Sequence, residues 1–188
     1  MKQLMTYEEL KSRFIGIPDK FWQACFMTIY SCLGREGEIM RPRYRKTNGL
    51  YKCDIEFNEQ EIVFQVLTEK TQKKRRVVLP TNEAWLAKPI TDFVNAAPDG
   101  ALFPYSTRWA EKKFAKFFPD ISKAEHTHTI HLLRSWRASH WLQGKVTGQP
   151  APRQFVAMLG GWSNVKILDK IYDKTNVEDY AHLWRKEK

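Results

Sequence analysis

Apolar positions in this chain recur at two different periods, and the changes between them divide it into helical, extended and again helical parts. Thr6-Tyr7-Glu8-Glu9 opens the first helix with a threonine cap and acids in the first turn, and Thr6 with Glu9 makes a capping box. Gly16-Ile17-Pro18 breaks that helix and Asp19 starts another. Phe21, Ala24, Cys25, Thr28, Ile29, Cys32 and Leu33 then follow helical spacing in a region predicted to reach Met40, interrupted at Gly34. Pro42 ends it. The period next drops to two: Leu50 to Phe57 alternates moderately, Glu61 to Thr68 strongly, and Arg75 to Leu79 makes a third short run. A meander of three antiparallel strands is the simplest connection, and it puts Lys70 at an exposed hairpin tip.

Helical spacing returns after Pro80. It runs through Ala84, Trp85, Leu86, Phe93 and Val94, and, after a turn at Ala97-Pro98-Asp99-Gly100, from Ser106 to Phe118 through Trp109, Phe114 and Phe117. The stretch from Thr127 to Gln143 predicts a central buried helix, with Leu132, Leu133, Trp136 and Leu142 as its apolar face. Phe155 to Leu159 reads as a short helix, Gly160-Gly161 as a turn, and Ser163 as the cap of a helix through Ile167, Leu168 and Tyr172. The tail after it is a further helix or a flexible arm. Without repeat or linker, the pattern predicts one α+β, mostly helical domain over residues 1–188 with a small three-stranded antiparallel sheet.

Composition narrows the partner. Hydrophobic residues at 43% and aromatics at 13% mark a chain with a sizeable core. A net charge of +10 favours a polyanion, nucleic acid before membrane. The basic run from Arg41 to Lys46, with Tyr44 among the arginines, suits a sugar-phosphate backbone as well as it suits a solvated face. Cys25, Cys32 and Cys53 form no CxxC pair and no zinc spacing, so neither a disulfide framework nor a metal is expected. The N-terminus is not a signal peptide, and no apolar run is long enough to cross a membrane, which predicts a soluble, intracellular protein.

The central stretch carries the chemistry. His131 and Arg134 sit one helical turn apart, and an imidazole beside a guanidinium suits a phosphodiester: donors for the anionic oxygens, one able to handle a proton. So short a motif also arises by chance on an amphipathic helix. Its surroundings give it weight.

Taken in order, these pieces resemble the catalytic domain of the tyrosine recombinase, or phage integrase, family, over nearly the whole chain from about Thr6 to the Tyr172 helix. LGREGEI supplies the family's first arginine as Arg35, with Glu38 behind it, and TEKTQKKRRVVLP supplies the hairpin lysine as Lys70. HLLR supplies His131 and Arg134, LGGWSN places Trp162 where members carry histidine or tryptophan, and DKIYDK places the nucleophile at Tyr172. Tyr172 stands one residue further from Trp162 than is usual, and Tyr180-Ala181-His182-Leu183 also looks like the surroundings of some family nucleophiles, so Tyr180 is the alternative. Most relatives carry an N-terminal DNA-clamping domain ahead of this one; its absence suggests a fragment or a minimal recombinase.

The resemblance implies cleavage and rejoining of double-stranded DNA through a 3′-phosphotyrosyl link, without metal or cofactor. Arg35 and Arg134 would hold the phosphate, Lys70 would protonate the departing 5′-oxygen, His131 would help with the tyrosine's proton, and Trp162 would position. Glu38 would brace Arg35, while Arg41, Arg43, Arg45, Lys73, Lys74, Arg75, Arg76 and Arg137 are candidates for backbone contacts. The family acts as a homo-oligomer on DNA, a tetramer with C-terminal segments exchanged, so residues from about 173 to 188 would serve in trans. That makes this a cytoplasmic, DNA-associated protein. A type IB topoisomerase-like enzyme and a catalytically inactive DNA-binding relative are the alternatives.

Overall fold

The computed structural model describes residues 5–40, 49–68, 72–124, 129–166 and 168. Two capped helices open it. In α1 (Tyr7–Ile15) the Thr6 hydroxyl accepts from the Glu9 N–H at 3.2 Å, and Leu10 and Phe14, one turn apart, are buried. In α2 (Lys20–Ser31) the Asp19 carboxylate accepts from Phe21 and Trp22 N–H groups at 3.1 and 3.3 Å. Every residue from Trp22 to Ser31 is buried, because α2 runs through the middle of the core against α1 and three later helices, α4 (Ala84–Ala96), α5 (Thr107–Phe117) and α7 (Leu132–Leu142).

Helical spacing predicts one region to Met40, but the chain turns after Ser31. Cys32 caps α2, Leu33 takes the left-handed conformation at φ 45°, and a short α3 (Glu36–Ile39) begins after Arg35. Gly34 makes the turn possible: a Cβ there would lie 2.8 Å from the Ile39 Cγ1. Tertiary packing overrides the period.

The sheet is antiparallel in the order β1-β2-β3, from β1 (Ile55–Phe57), β2 (Glu61–Leu67) and β3 (Lys74–Pro80). The first strand is shorter than alternation predicts. Asp54 accepts from the Tyr51 N–H at 3.1 Å and folds Lys52–Asp54 into a 3-10 turn, while Tyr51 bridges to Ala101. In β3, Arg75, Val77 and Leu79 point to the core, and Lys74 and Arg76 point to solvent.

The remaining helices are α4 (Ala84–Ala96), α5 (Thr107–Phe117), α6 (Pro119–Ala124), α7, and α8 (Arg153–Gly160). α7 packs on α2 and α8, α8 packs on β3, and α5 packs on α3 and on the 3-10 turn Thr129–His131 that leads into α7. These contacts bring the ends of α2 and α8, the start of α3 and the core face of β3 to one place. No helix among the described residues is long and apolar enough to cross a membrane.

Candidate active site

Glu38 lies where these elements meet, 3% exposed, and three arginines reach it. Arg35 donates its backbone N–H to Oε2 at 3.0 Å and holds its Nη1 3.5 Å from Oε1. Arg75 donates from Nη2 to Oε2 at 3.0 Å, and Arg134 brings Nη1 to 3.9 Å from the same oxygen. Burial alone would raise the Glu38 carboxyl, but the charges of Arg75 and Arg134 and the Arg35 N–H outweigh it, so its pKa lies below the usual carboxylate range. Glu38 is therefore ionised at neutral pH.

The carbonyl ends of α2 and α8 fill the rest of the frame. Arg134 donates from Nη1 to the Leu33 carbonyl and from Nη2 to the Gly160 carbonyl, the latter at 2.6 Å. Arg75 donates from Nη1 to the Cys32 carbonyl at 3.0 Å and to the Leu159 carbonyl, and from Nη2 to the Leu33 carbonyl at 3.3 Å. Two guanidinium rungs thus span the same two helix ends. The negative end of a helix dipole favours cations, which helps a buried cluster of three guanidiniums and one carboxylate to exist. Among the described residues the cluster sets three guanidiniums against one carboxylate. Arg35, with 30% of its side chain exposed, is its opening to solvent, whereas only 2% of the Arg134 side chain is exposed.

Trp162 covers the second rung. Its ring lies over the Arg134 Cζ at 4.1 Å, a cation–π contact. Gly161 caps α8 at φ 67°, and at Gly160 a Cβ would overlap the Trp162 ring, so the Gly-Gly pair is what lets the indole fold back onto the guanidinium. The family resemblance marked Trp162 in the sequence; the structure adds the ring face over Arg134.

The structure thus brings together Arg35, Glu38, Arg134 and Trp162. His131 is half-buried at the end of the 3-10 turn rather than inside the helix that carries Arg134. Lys73, Lys74 and Arg76 are exposed, with Lys74 on Asp54 at 2.9 Å and Arg76 on Glu61. Lys70, Tyr172, Tyr180, Arg41, Arg43 and Arg45 lie outside the described residues.

Two expected backbone contacts are corrected. Arg75 is buried because it shares the inward face of β3 with Val77 and Leu79, and its fork is turned onto Glu38 and the helix ends. The alternation of Arg75, Val77 and Leu79 in the sequence is the signal that would have found it. Arg137 is 0% exposed: it donates to both oxygens of Glu83, at 2.7 and 2.5 Å, and lies 5.0 Å from the Tyr30 ring centre. Both side chains are turned onto acceptors within the protein.

The Glu83–Arg137 pair belongs to a second buried network behind the first. Tyr7 donates to Glu83 Oε1 at 2.7 Å and accepts from Trp85 Nε1 at 2.9 Å. His140 Nε2 donates to the Met5 carbonyl at 2.9 Å, which leaves Nδ1 to accept from the Tyr30 hydroxyl at 2.7 Å. Among the described residues no three His, Cys, Asp or Glu side chains gather as a metal site needs.

No family model and no curated protein matches the sequence. Solved structures do match. The XerA recombinase is 18% identical, with a TM-score of 0.69 over 100% of this chain and 67% of its own. The XerH site-specific recombinase, in a post-cleavage complex with palindromic difH substrate, is 15% identical with a TM-score of 0.69 over 98% of this chain and 54% of its own. The catalytic domain of bacteriophage HP1 integrase is 12% identical, with a TM-score of 0.59 over 98% of this chain and 96% of its own. The chain spans about half the length of the XerH recombinase. It has the fold of the tyrosine recombinase catalytic domain.

Proposed function

We propose that the chain is a site-specific DNA recombinase of the integrase type, cutting and rejoining strands through a 3′-phosphotyrosyl link. The observation that carries this reading is the convergence of Arg35 and Arg134, far apart in the chain, on one ionised carboxylate. Shared fold supports it: XerH was solved on its difH substrate and the Tn1549 transposon integrase with circular intermediate DNA, and both match this chain over nearly its full length. The net charge of +10 suits the same partner.

In the proposed reaction the Tyr172 hydroxyl attacks the scissile phosphorus. The phenolate–phosphorus bond forms as the bond to the 5′-oxygen breaks; His131 helps take the tyrosine's proton and Lys70 gives one to the leaving oxygen. One phosphoester replaces another, so rejoining is the reverse attack by a 5′-hydroxyl. Arg35 and Arg134 stabilise the charge that grows on the non-bridging oxygens, and Trp162 holds the Arg134 plane in place. Exposed Lys73, Lys74 and Arg76, with Arg41, Arg43 and Arg45, would hold the flanking backbone. On DNA the protein would act as a homotetramer, with the segment after Tyr172 exchanged between copies, in the cytoplasm of the cell that hosts a mobile element.

A nicked duplex that traps the covalent intermediate tests this. Wild type and Tyr180→Phe form an adduct that resists denaturant, and Tyr172→Phe does not. Arg35→Lys and Arg134→Lys each slow its formation by roughly 10²–10³-fold, since lysine cannot fork. An adduct from Tyr172→Phe would move the nucleophile to Tyr180. Salt-sensitive binding with no adduct from wild type would make the chain an inactive DNA-binding relative, and relaxation without strand exchange would make it a topoisomerase.

A further inference from the structure

β3 spends an unusual residue on its core face. Alternation gives that face to Val77 and Leu79, and an apolar side chain in place of Arg75 would fill it without burying a charge. The guanidinium is held there by four acceptors on three separate elements: the Cys32 and Leu33 carbonyls at the end of α2, the Leu159 carbonyl at the end of α8, and Glu38 on α3. Two of these, the Leu33 carbonyl and Glu38 Oε2, are also the partners of Arg134. Leu33 is in a left-handed backbone conformation, and its carbonyl accepts from both guanidiniums. A Cβ at Gly161 would lie 3.0 Å from the Arg75 Cδ, so the turn that leads to Trp162 packs directly on this side chain.

We propose that Arg75 is a positioning residue of the strand-cleavage reaction: it joins the sheet to the ends of α2 and α8 and so fixes Glu38, the Arg134 plane and the Trp162 turn in one frame. The inference rests on the recombinase reading of the site. Arg75 itself is buried behind the cluster and reaches the phosphate only through these partners. Arg35 and Arg134 still accompany Glu38 when Arg75 is replaced, so the carboxylate keeps a partner while the frame loses its crosspiece.

The test uses the full chain on the nicked trapping duplex, comparing wild type with Arg75→Met and Arg75→Lys. Both variants are expected to bind the duplex within about threefold of wild type, because the side chain is buried. At saturating duplex both form adduct more slowly, by about 10²-fold, the effect of a misplacement of about 1 Å. Lysine keeps the charge but cannot span the acceptors, so it does not rescue. A second readout separates positioning from packing. Glu38 is faced by Arg35 at the start of α3, Arg75 on β3, Arg134 on α7 and the Cys32 thiol at the end of α2. Loss of Arg75 removes a cation that holds its carboxyl down, so the acid limb of the rate profile shifts to higher pH in Arg75→Met. If Arg75→Met does not fold, Arg75→Lys alone decides. Full-rate cleavage by either folded variant with an unshifted acid limb would overturn the proposal, as would a defect confined to duplex affinity. No adduct from wild type overturns the recombinase reading and this inference together; a reactive wild type with unaffected variants overturns this inference alone.

Discussion

His140 shows how tightly a single residue in this molecule is tied to its surroundings. Burial, with the nearby charges of Arg137 and Lys145, pushes its pKa down to about 4 in spite of the Met5 carbonyl, which favours the protonated ring. The folded value lies below the ordinary value of about 6.5, so the unfolded chain takes up a proton first as pH falls. Stability from this group is therefore complete above about pH 6.5 and declines toward pH 4, by on the order of 3 kcal/mol across the window. Urea unfolding between pH 7 and 4.5 should show the decline, and His140→Gln should flatten it. Glu38 works in the same direction at lower pH: against burial, its carboxyl is held down by the charges of Arg75 and Arg134 and the Arg35 N–H, so its stabilising charge is lost as acid protonates it.

At the scale of elements, the turn between α2 and α3 is the decisive joint. It presents the Cys32 and Leu33 carbonyls to the two guanidinium rungs and starts α3 so that Glu38 reaches them. Gly34 leaves no room for a methyl beside Ile39, so Gly34→Ala should cost about 1–3 kcal/mol of stability, read from denaturant midpoints. Helical spacing alone carries α2 past this point, since Cys32 and Leu33 are as apolar as the residues before them. The break was visible only as Gly34. Elsewhere the element pattern was legible: Thr6 and Asp19 mark helix starts that their hydrogen bonds bear out, and β2 and β3 match the alternating runs within a residue or so at each end. β1 was not, because the Asp54–Tyr51 turn depends on a polar contact that has no period.

Across the whole molecule, α7 ties two buried networks together, one through Arg134 toward Glu38 and one through Arg137 toward Glu83, Tyr7 and the start of α4. Glu83→Gln leaves the Arg137 charge buried with a neutral partner and should destabilise the fold by roughly 3–5 kcal/mol. Replacing both residues by apolar ones of similar volume should recover most of it, and thermal melts of the single and double variants measure the difference. If the double variant melts as low as the single, the pair has a role that packing cannot replace.

The resemblance to the recombinase family picked out Arg35, Glu38, His131, Arg134 and Trp162 from short local motifs, and a short motif with its turn residues is a local property of the chain. Which arginines turn inward was decided only by packing. Arg75 and Arg76 are neighbours of the same type, yet the register of β3 against β2 sends one to the cluster and the other to solvent. Arg134 and Arg137 stand a turn apart on one helix, and each is buried against a different carboxylate because other elements bring Glu38 and Glu83 there. Local periods set the elements; the desolvation of a charge is affordable only where distant parts of the chain deliver its partner, and that is a property of the fold.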